Sequence, residues 1–402
     1  MAEVNRNARP YDVVLFGATG FTGGLTADYL AEHAPADLTW ALAGRSETKL
    51  AAVRDRLVAA HPENKALADL ALLTVDAADA AGLAEVAGMA RVIATTVGPY
   101  IQYGGPLVAA CANAGTDYVD LTGEPEFVDR TYVSHNAAAE ASGARLVHCC
   151  GFDSIPHDLG AYFTIGELAR ELGGEITAPV QMRGVVRSAA RFSGGTFHSA
   201  LGAFSRAKQM REASTARRRL EPRPEGRRAR ASVGAPRKDA ELGYYLLPLP
   251  TIDPAIVTRS AAALPAYGPE FTYGHYAGTK TLRYAAGGAV GVSALTLASQ
   301  VPPLRNALLK RIPQGEGPSQ SQRERSWFTV DFVATSGDTT VHTRVSGGDP
   351  GYSETAKMLA ESALCLALDE NPVTSGQVTT ATAMGTALLA RLQAAGIRFE
   401  RV

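Results

Sequence analysis

The chain has 402 residues, 46% of them hydrophobic, and a formal net charge of −1. That length exceeds one ordinary core and suffices for two, while the near-neutral balance excludes a global attraction to nucleic acid or an anionic membrane. The four cysteines, at 111, 149, 150 and 365, show neither metal-ligand spacing nor a disulfide framework, and the opening Met1-Ala-Glu-Val-Asn-Arg lacks a signal-peptide core, so a reducing cytoplasm is expected.

Strand and helix patterns alternate through the first third. Short apolar runs predict strands at 12–16, 38–43, 70–75, 91–95, 117–121 and 145–149, with helices between them near 22–33, 47–60, 80–88, 104–114 and 127–142. This is the pattern of an α/β doubly wound parallel sheet, the Rossmann arrangement, whose ligands bind beyond the carboxyl ends of the strands. The segments following each strand therefore carry the candidate chemistry.

The first of them, Gly17-Ala-Thr-Gly-Phe-Thr-Gly, directly follows Val13-Val14-Leu15-Phe16. One glycine lets the strand turn sharply into a helix, the next lets backbone approach a pyrophosphate, and the third lets the helix pack closely on the sheet. The pyrophosphate then meets the free N–H groups and positive dipole end of a helix N-terminus. Gly17, Thr19, Gly20, Phe21, Thr22 and Gly23 are accordingly assigned to a dinucleotide. The first gap is one residue longer than in G-x-G-x-x-G, and the preceding strand supplies the specificity that glycines alone lack.

At the end of the second strand, where an NAD-binding chain usually places Asp or Glu, stand Arg45 and Ser46. A cation with a hydroxyl donor favours a 2′-phosphate, so the expected cofactor is NADPH. The plainer alternative is a turn of small residues beside a solvated arginine. Asp76 is placed to meet the adenine end, and Thr96, Val97, Gly98 and Pro99 to pass the nicotinamide.

Beyond residue 155 the pattern changes. A helix is expected from 156 to about 172, an apolar strand near 176–186 and a helix near 195–211. Residues 206–238 hold twelve Lys or Arg against three Glu, and Pro222, Pro224 and Gly226 break any helix there, which predicts a long mobile basic loop. Such a loop is either a solvated insertion or a docking site for an acidic carrier protein. No aromatic residues interleave the arginines, which disfavours nucleic acid.

Residues 284–304 are uncharged over 21 positions, nominally enough to span a bilayer. Three glycines, scattered hydroxyls and the Pro302-Pro303 stop favour a buried or interface helix, or the wall of an acyl pocket, over a transmembrane one. Residues 326–346 alternate as a hairpin turning at Ser336-Gly337-Asp338, and helices are expected near 352–369 and 380–395.

For catalysis, Tyr276-Ala-Gly-Thr-Lys280 matches Tyr-x-x-x-Lys but lies far outside the nucleotide domain around a helix-breaking glycine, and no histidine pair has metal-ligand spacing, so no metal is predicted. The better candidate is Gly151-Phe152-Asp153-Ser154-Ile155-Pro156-His157, where the last nucleotide-domain strand hands over to the second domain. Asp153 or Ser154 can cap the helix that follows. The same loop lies over the nicotinamide, so Phe152 is assigned to the cofactor. Asp153 and His157, with Tyr100 at the end of the earlier loop, are the candidate catalytic residues.

The glycine segment, Leu42-Ala-Gly-Arg-Ser46, Thr95-Thr-Val-Gly-Pro-Tyr100, Pro106-Leu-Val-Ala-Ala-Cys111, Gly115-Thr-Asp-Tyr-Val-Asp-Leu-Thr-Gly-Glu124 and Gly151-Phe-Asp-Ser-Ile-Pro156 resemble the saccharopine dehydrogenase-like oxidoreductases. Within that group the resemblance is closest to the trans-acting enoyl reductases of phthiocerol-type lipid synthesis, and it continues through Ser193-Gly-Gly-Thr196 and Ala381-Thr-Ala-Met-Gly-Thr-Ala-Leu-Leu-Ala-Arg-Leu392. It implies a Rossmann domain at 1–155, an inserted α+β domain at 156–346 and C-terminal helices at 347–402 returning to the first domain. It also implies NADPH and reduction of a carbon–carbon double bond in a polyketide or lipid acyl thioester, carrier-protein-bound or free. Nucleic acid is not an expected partner, membrane contact is at most peripheral, and a homodimer is left open.

Two other readings stay open. A saccharopine-type imine or carbonyl reductase would need Arg183, Arg187 and Arg191 to clamp a carboxylate. A scaffold could bind NADPH, or associate with lipid, without turnover.

Overall fold

A computed structural model describes residues 8–190, 201–202, 205–311 and 317–402. The buried run Val13-Val14-Leu15-Phe16 lies in β1 (Tyr11–Phe16), an interior strand of a seven-stranded parallel sheet. On one side of it lie β2 (Trp40–Gly44) and β3 (Ala71–Thr74); on the other lie β4 (Ala90–Thr95), β5 (Asp117–Asp120) and β6 (Arg145–Val147). The strand order reverses between β1 and β4, which opens a crevice there. The connecting helices are α1 (Phe21–His33), α2 (Glu47–Ala60), α3 (Ala80–Met89), α4 (Tyr100–Ala114) and α5 (Pro125–Ser142). Strands apolar on both faces have to be covered on both faces, and the helices divide accordingly between two apolar clusters.

After α6 (Ile155–Glu171) the chain builds a mixed eight-stranded sheet. Its centre is β7 (Val180–Ser188), parallel to β11 (Glu270–Thr279) on one side and antiparallel to β12 (Phe328–Ser336) on the other. The predicted hairpin is β12 with β13 (Thr339–Gly347), turning at Gly337 with φ +57°. Beyond β11 the edge is made by β8 (Arg228–Ser232) and β10 (Tyr245–Pro248), the latter paired with β9 (Arg237–Lys238). Helix α6 packs on β12 and β13, where Phe332 and Val345 leave so little room that only Gly160 fits.

The basic segment differs from its expectation. It is not one loop: α7 (Ala207–Leu220) packs on α5, and β8 and β9 join the sheet, with Pro222, Pro224 and Gly226 lying between α7 and β8. Ion pairing explains the order. Buried Arg217 meets Asp129 and Glu221, Arg206 meets Glu126 at 2.6 Å, and Arg227 donates to the carbonyls of Ala262 and Leu264. Of the predicted 195–211 helix, residues 195–200, 203 and 204 lie outside the described residues, and 207–211 open α7.

The remaining helices are α8 (Asp253–Ala263), α9 (Leu282–Gln300), α10 (Pro302–Arg311) and the short α11 (Gln320–Glu324). The C-terminal part serves both sheets. Helix α12 (Ser353–Leu368) packs on α1, where Tyr29 donates to Glu361 at 2.6 Å. Strand β14 (Gly376–Val378) extends the parallel sheet beside β6, α13 (Thr380–Ala383) and α14 (Gly385–Ala394) follow, and β15 (Arg398–Arg401) closes the mixed sheet beside β13.

Candidate active site

The glycine segment turns between β1 and α1 at the crevice. Gly17 sits at φ +95°, and a Cβ there would lie 2.7 Å from Val97 Cγ2 and 2.8 Å from Thr96 Oγ1. The first loop is thus pressed onto the segment after β4, and Thr96 Oγ1 donates to the Gly17 carbonyl at 3.1 Å. Gly23 is closed in the same way, its Cβ position only 2.1 Å from that carbonyl oxygen. Gly20 is different: it is exposed at the N-cap of α1, has an open Cβ position and contributes no side-chain cap. Thr19 beside it is exposed too. Among the described residues the first-turn N–H groups of α1 therefore have no side-chain acceptor, which suits a pyrophosphate.

Phe21 and Thr22 open the helix. The Phe21 ring lies edge-on to Tyr352 at 4.9 Å and under the Arg323 guanidinium at 5.5 Å, while the Thr22 carbonyl accepts from Thr26. Arg45 follows β2 exposed to solvent, with no ion-pair partner among the described residues, and Ser46 caps α2 by accepting from Lys49 N. Asp76, exposed after β3, accepts from Ala78 N at 2.9 Å. A cation with no ion-pair partner among the described residues, beside a Ser46 hydroxyl that accepts from Lys49 N and keeps its proton to donate, fits a 2′-phosphate.

After β4 come half-buried Thr96, Val97 and Pro99 and exposed Gly98, with a cis Gly98–Pro99 peptide. Tyr100 then turns inward. Its hydroxyl donates to the Thr95 carbonyl and accepts from Leu121 N, both at 3.1 Å, and burial, with Asp120 second, pushes its pKa well above the usual tyrosine value. Both sides of the hydroxyl are committed to holding β4 and β5 together. Nearby Glu124 accepts from Tyr100 N and Ile101 N, which caps α4.

The loop after β6 brings the chemistry together. Helix α6 begins after Ser154, but neither Ser154 nor Asp153 caps it through its side chain, so the predicted capping role is not filled. Asp153 is half-buried; its carboxyl atoms lie 3.4–3.6 Å from the Cβ position of Gly123, with no hydrogen bond to them recorded among the described residues. Burial first, and the charge of Asp253 second, raise its pKa to about 7 against the opposing pull of His157. Phe152, half-buried beside it, stands edge-on to His157 at 5.5 Å and to Phe328 at 4.9 Å.

His157 is buried in the first turn of α6 with Nδ1 2.9 Å from Asp253 Oδ1. Asp253 opens α8, and its Oδ2 lies 3.5 Å from Nε2 of His275 on β11, whose Nδ1 pairs with the Tyr273 hydroxyl at 3.1 Å. Burial alone would raise Asp253, yet His157, then His275 and Thr251, bring it down to about 2. Burial carries His275 down to about 4. Two interacting carboxyl groups are thereby driven apart, one ionised and the other titrating near neutrality.

The ligand atoms of His157, Asp253 and His275 lie within 4.8 Å of one another, a two-imidazole, one-carboxylate set of the kind that holds a transition metal. Sequence spacing concealed it because these residues come from three separate elements. Arg183 and Arg187, needed by the imine-reductase reading, are already engaged. Arg183 binds Asp239 at 2.8 Å and Glu241, and Arg187 binds the Tyr244 hydroxyl at 2.7 Å. Arg191 lies outside the described residues. Tyr276 of the rejected Tyr-x-x-x-Lys match is on β11 beside Arg237.

The saccharopine dehydrogenase NADP binding domain profile matches residues 13–147. Rv2449c of Mycobacterium tuberculosis, named as a candidate trans-acting enoyl reductase, is 40% identical over 98% of this chain and 97% of its own. The trans-acting enoyl reductase of Mycobacterium ulcerans is 36% identical over 97% of each. The chain belongs to the saccharopine dehydrogenase-like oxidoreductases. Its first domain is the family's NADP-binding domain, and the chain is an NADP-dependent oxidoreductase. The fold is shared with apo saccharopine dehydrogenase of Saccharomyces cerevisiae, with a TM-score of 0.54, 13% identity and coverage of 98% of this chain and 100% of that one.

Proposed function

We propose that the chain is a trans-acting enoyl reductase that saturates the carbon–carbon double bond of an α,β-unsaturated acyl thioester. The observation that carries this reading is Asp153, a carboxyl group with no side-chain hydrogen bond among the described residues and a pKa raised to about 7, at the crevice where the nicotinamide end is expected. The names of the mycobacterial relatives support it.

NADPH, when bound, supplies the hydride. Gly17, Thr19, Gly20, Phe21, Thr22 and Gly23 would hold its pyrophosphate, Arg45 and Ser46 its 2′-phosphate and Asp76 its adenosine side. Thr96, Val97, Gly98, Pro99 and Phe152 would border the nicotinamide. Asp153 then delivers a proton to the α-carbon of the substrate as the β-carbon is reduced, and is reprotonated from solvent through its exposed side. His157 and Asp253 keep that acid poised: the Asp253 carboxylate disfavours a second negative charge, and His157 fixes Asp253 in place. Tyr100 positions the β4 loop.

A carrier protein is the source of the thioester that suits the exposed Arg218 and Arg219 on α7 and Arg223 just beyond it. Incubation with NADPH and a trans-2-enoyl thioester should consume both and yield the saturated thioester by mass spectrometry. Tight NADPH binding without turnover of any enoyl thioester would leave the scaffold reading instead.

A further inference from the structure

Helix α9 is a 19-residue helix with one side bare. Leu282, Ala286, Val290, Leu297, Val301 and Leu304 are all exposed, Val290 by 69% and Leu297 by 72%. At 100° per residue Leu282, Ala286, Val290 and Leu297 fall within an arc of about 80°, so they form one apolar stripe, and exposed Val301 and Leu304 follow beyond its C-terminal end. Tyr284, 74% exposed, stands near one end. Of the expected alternatives, the buried helix is not met, while an interface helix is compatible with this exposure. No described helix is long and apolar enough to cross a membrane.

The stripe is bordered by positive charge. Residues 271–315 hold five Lys or Arg and no Asp or Glu. Lys280 and Arg283 lie at one end of α9 and Arg305 just beyond the other. The helix leans on β10, where Leu247 Cδ2 is 3.0 Å from the Cβ position of Gly288, and β10 pairs with β9, whose Arg237 and Lys238 are exposed. Cations at both ends oppose self-association through the stripe: an antiparallel copy would set Arg283 against Arg305, and a parallel copy would set each cation against its own twin.

We infer that α9 lies in the interface of an anionic lipid bilayer, with its apolar stripe entering the acyl boundary and the flanking cations resting on lipid phosphates. The chain's overall charge of −1 does not oppose this, because headgroup attraction acts within about 10 Å at ordinary salt and is set by the local patch.

The test is co-flotation of the full chain with vesicles of phosphatidylcholine alone or mixed with phosphatidylglycerol. Binding should be at least about tenfold stronger to the anionic vesicles and weaken in high salt. The double variant Val290→Glu with Leu297→Glu, exposed positions remote from the cofactor loops, should lose flotation at least about tenfold while retaining NADPH affinity. Two results would overturn the inference: no flotation of the parent chain with anionic vesicles, or a dimer in sedimentation that the double variant dissociates while vesicle binding is unaffected.

Discussion

Asp153 is the residue on which the chemistry turns. Asp153→Asn keeps the shape and removes the proton, so kcat should fall about 100- to 10,000-fold while NADPH affinity holds. For the parent chain, the protonated form is the active one, so kcat/KM should decline as pH rises through about 7. Asp253→Asn removes a negative neighbour that raises the Asp153 pKa, so that descending limb should move to lower pH. A purely structural Asp253 would lower activity without moving the limb. Stability carries the opposite lesson. A carboxyl whose folded pKa lies above its ordinary value favours folding fully at low pH and loses that contribution as pH rises through the folded value. At pH 8 the Asp153→Asn variant should therefore melt above the parent chain.

Arg45 belongs to the same scale. Its guanidinium has no ion-pair partner among the described residues, and a charge-assisted contact to a phosphate is worth about 1.5–3 kcal/mol. Arg45→Asp should shift preference from NADPH toward NADH, read as the ratio of the two dissociation constants. Equal affinities for the two cofactors in the parent chain would remove the 2′-phosphate from the account.

At the scale of the element, two glycines three positions apart have separable roles. Gly20 has an open Cβ position at the uncapped start of α1, so Gly20→Val should abolish NADPH binding by calorimetry with little change in melting temperature. A Cβ on Gly23 would lie 2.1 Å from the Gly17 carbonyl oxygen, so Gly23→Ala should instead destabilise the domain by about 1–3 kcal/mol. The basic segment makes a further distinction. Arg217 is buried between Asp129 and Glu221, and removing one partner of such a group costs about 3–5 kcal/mol, so Arg217→Ala should unfold readily in denaturant. Exposed Arg218 and Arg219 should be neutral to folding and so report on carrier docking alone.

For the whole molecule, what was legible in the sequence followed from locality. Strands apolar on both faces and helices with one apolar face identify themselves over five to fifteen residues, and β1 to β6 lie within two residues of their expected bounds. The last strand of that sheet, β14, comes from residues 376–378, and three residues carry no periodic signal. Charge misled in the basic segment because the acids that order it, Glu126 and Asp129 on α5, lie some eighty residues earlier in the chain. The same limit hid the site's electrostatics. Asp153 and His157 are close in sequence, but Asp253 on α8, whose charge helps raise the Asp153 pKa, comes from the second domain. The sequence alone offers Asp153 as a candidate helix cap or catalytic group; the structure adds the burial and the Asp253 charge that raise its pKa.

That convergence at the junction of the two domains is most directly tested by isotope placement. NADPH deuterated at the transferable position should leave deuterium on the β-carbon of a trans-2-enoyl thioester and a solvent-derived hydrogen on the α-carbon, with product formation strongly reduced in Asp153→Asn. Deuterium delivered only to a carbonyl or imine carbon, or full turnover by the Asp153 variant, would contradict the account.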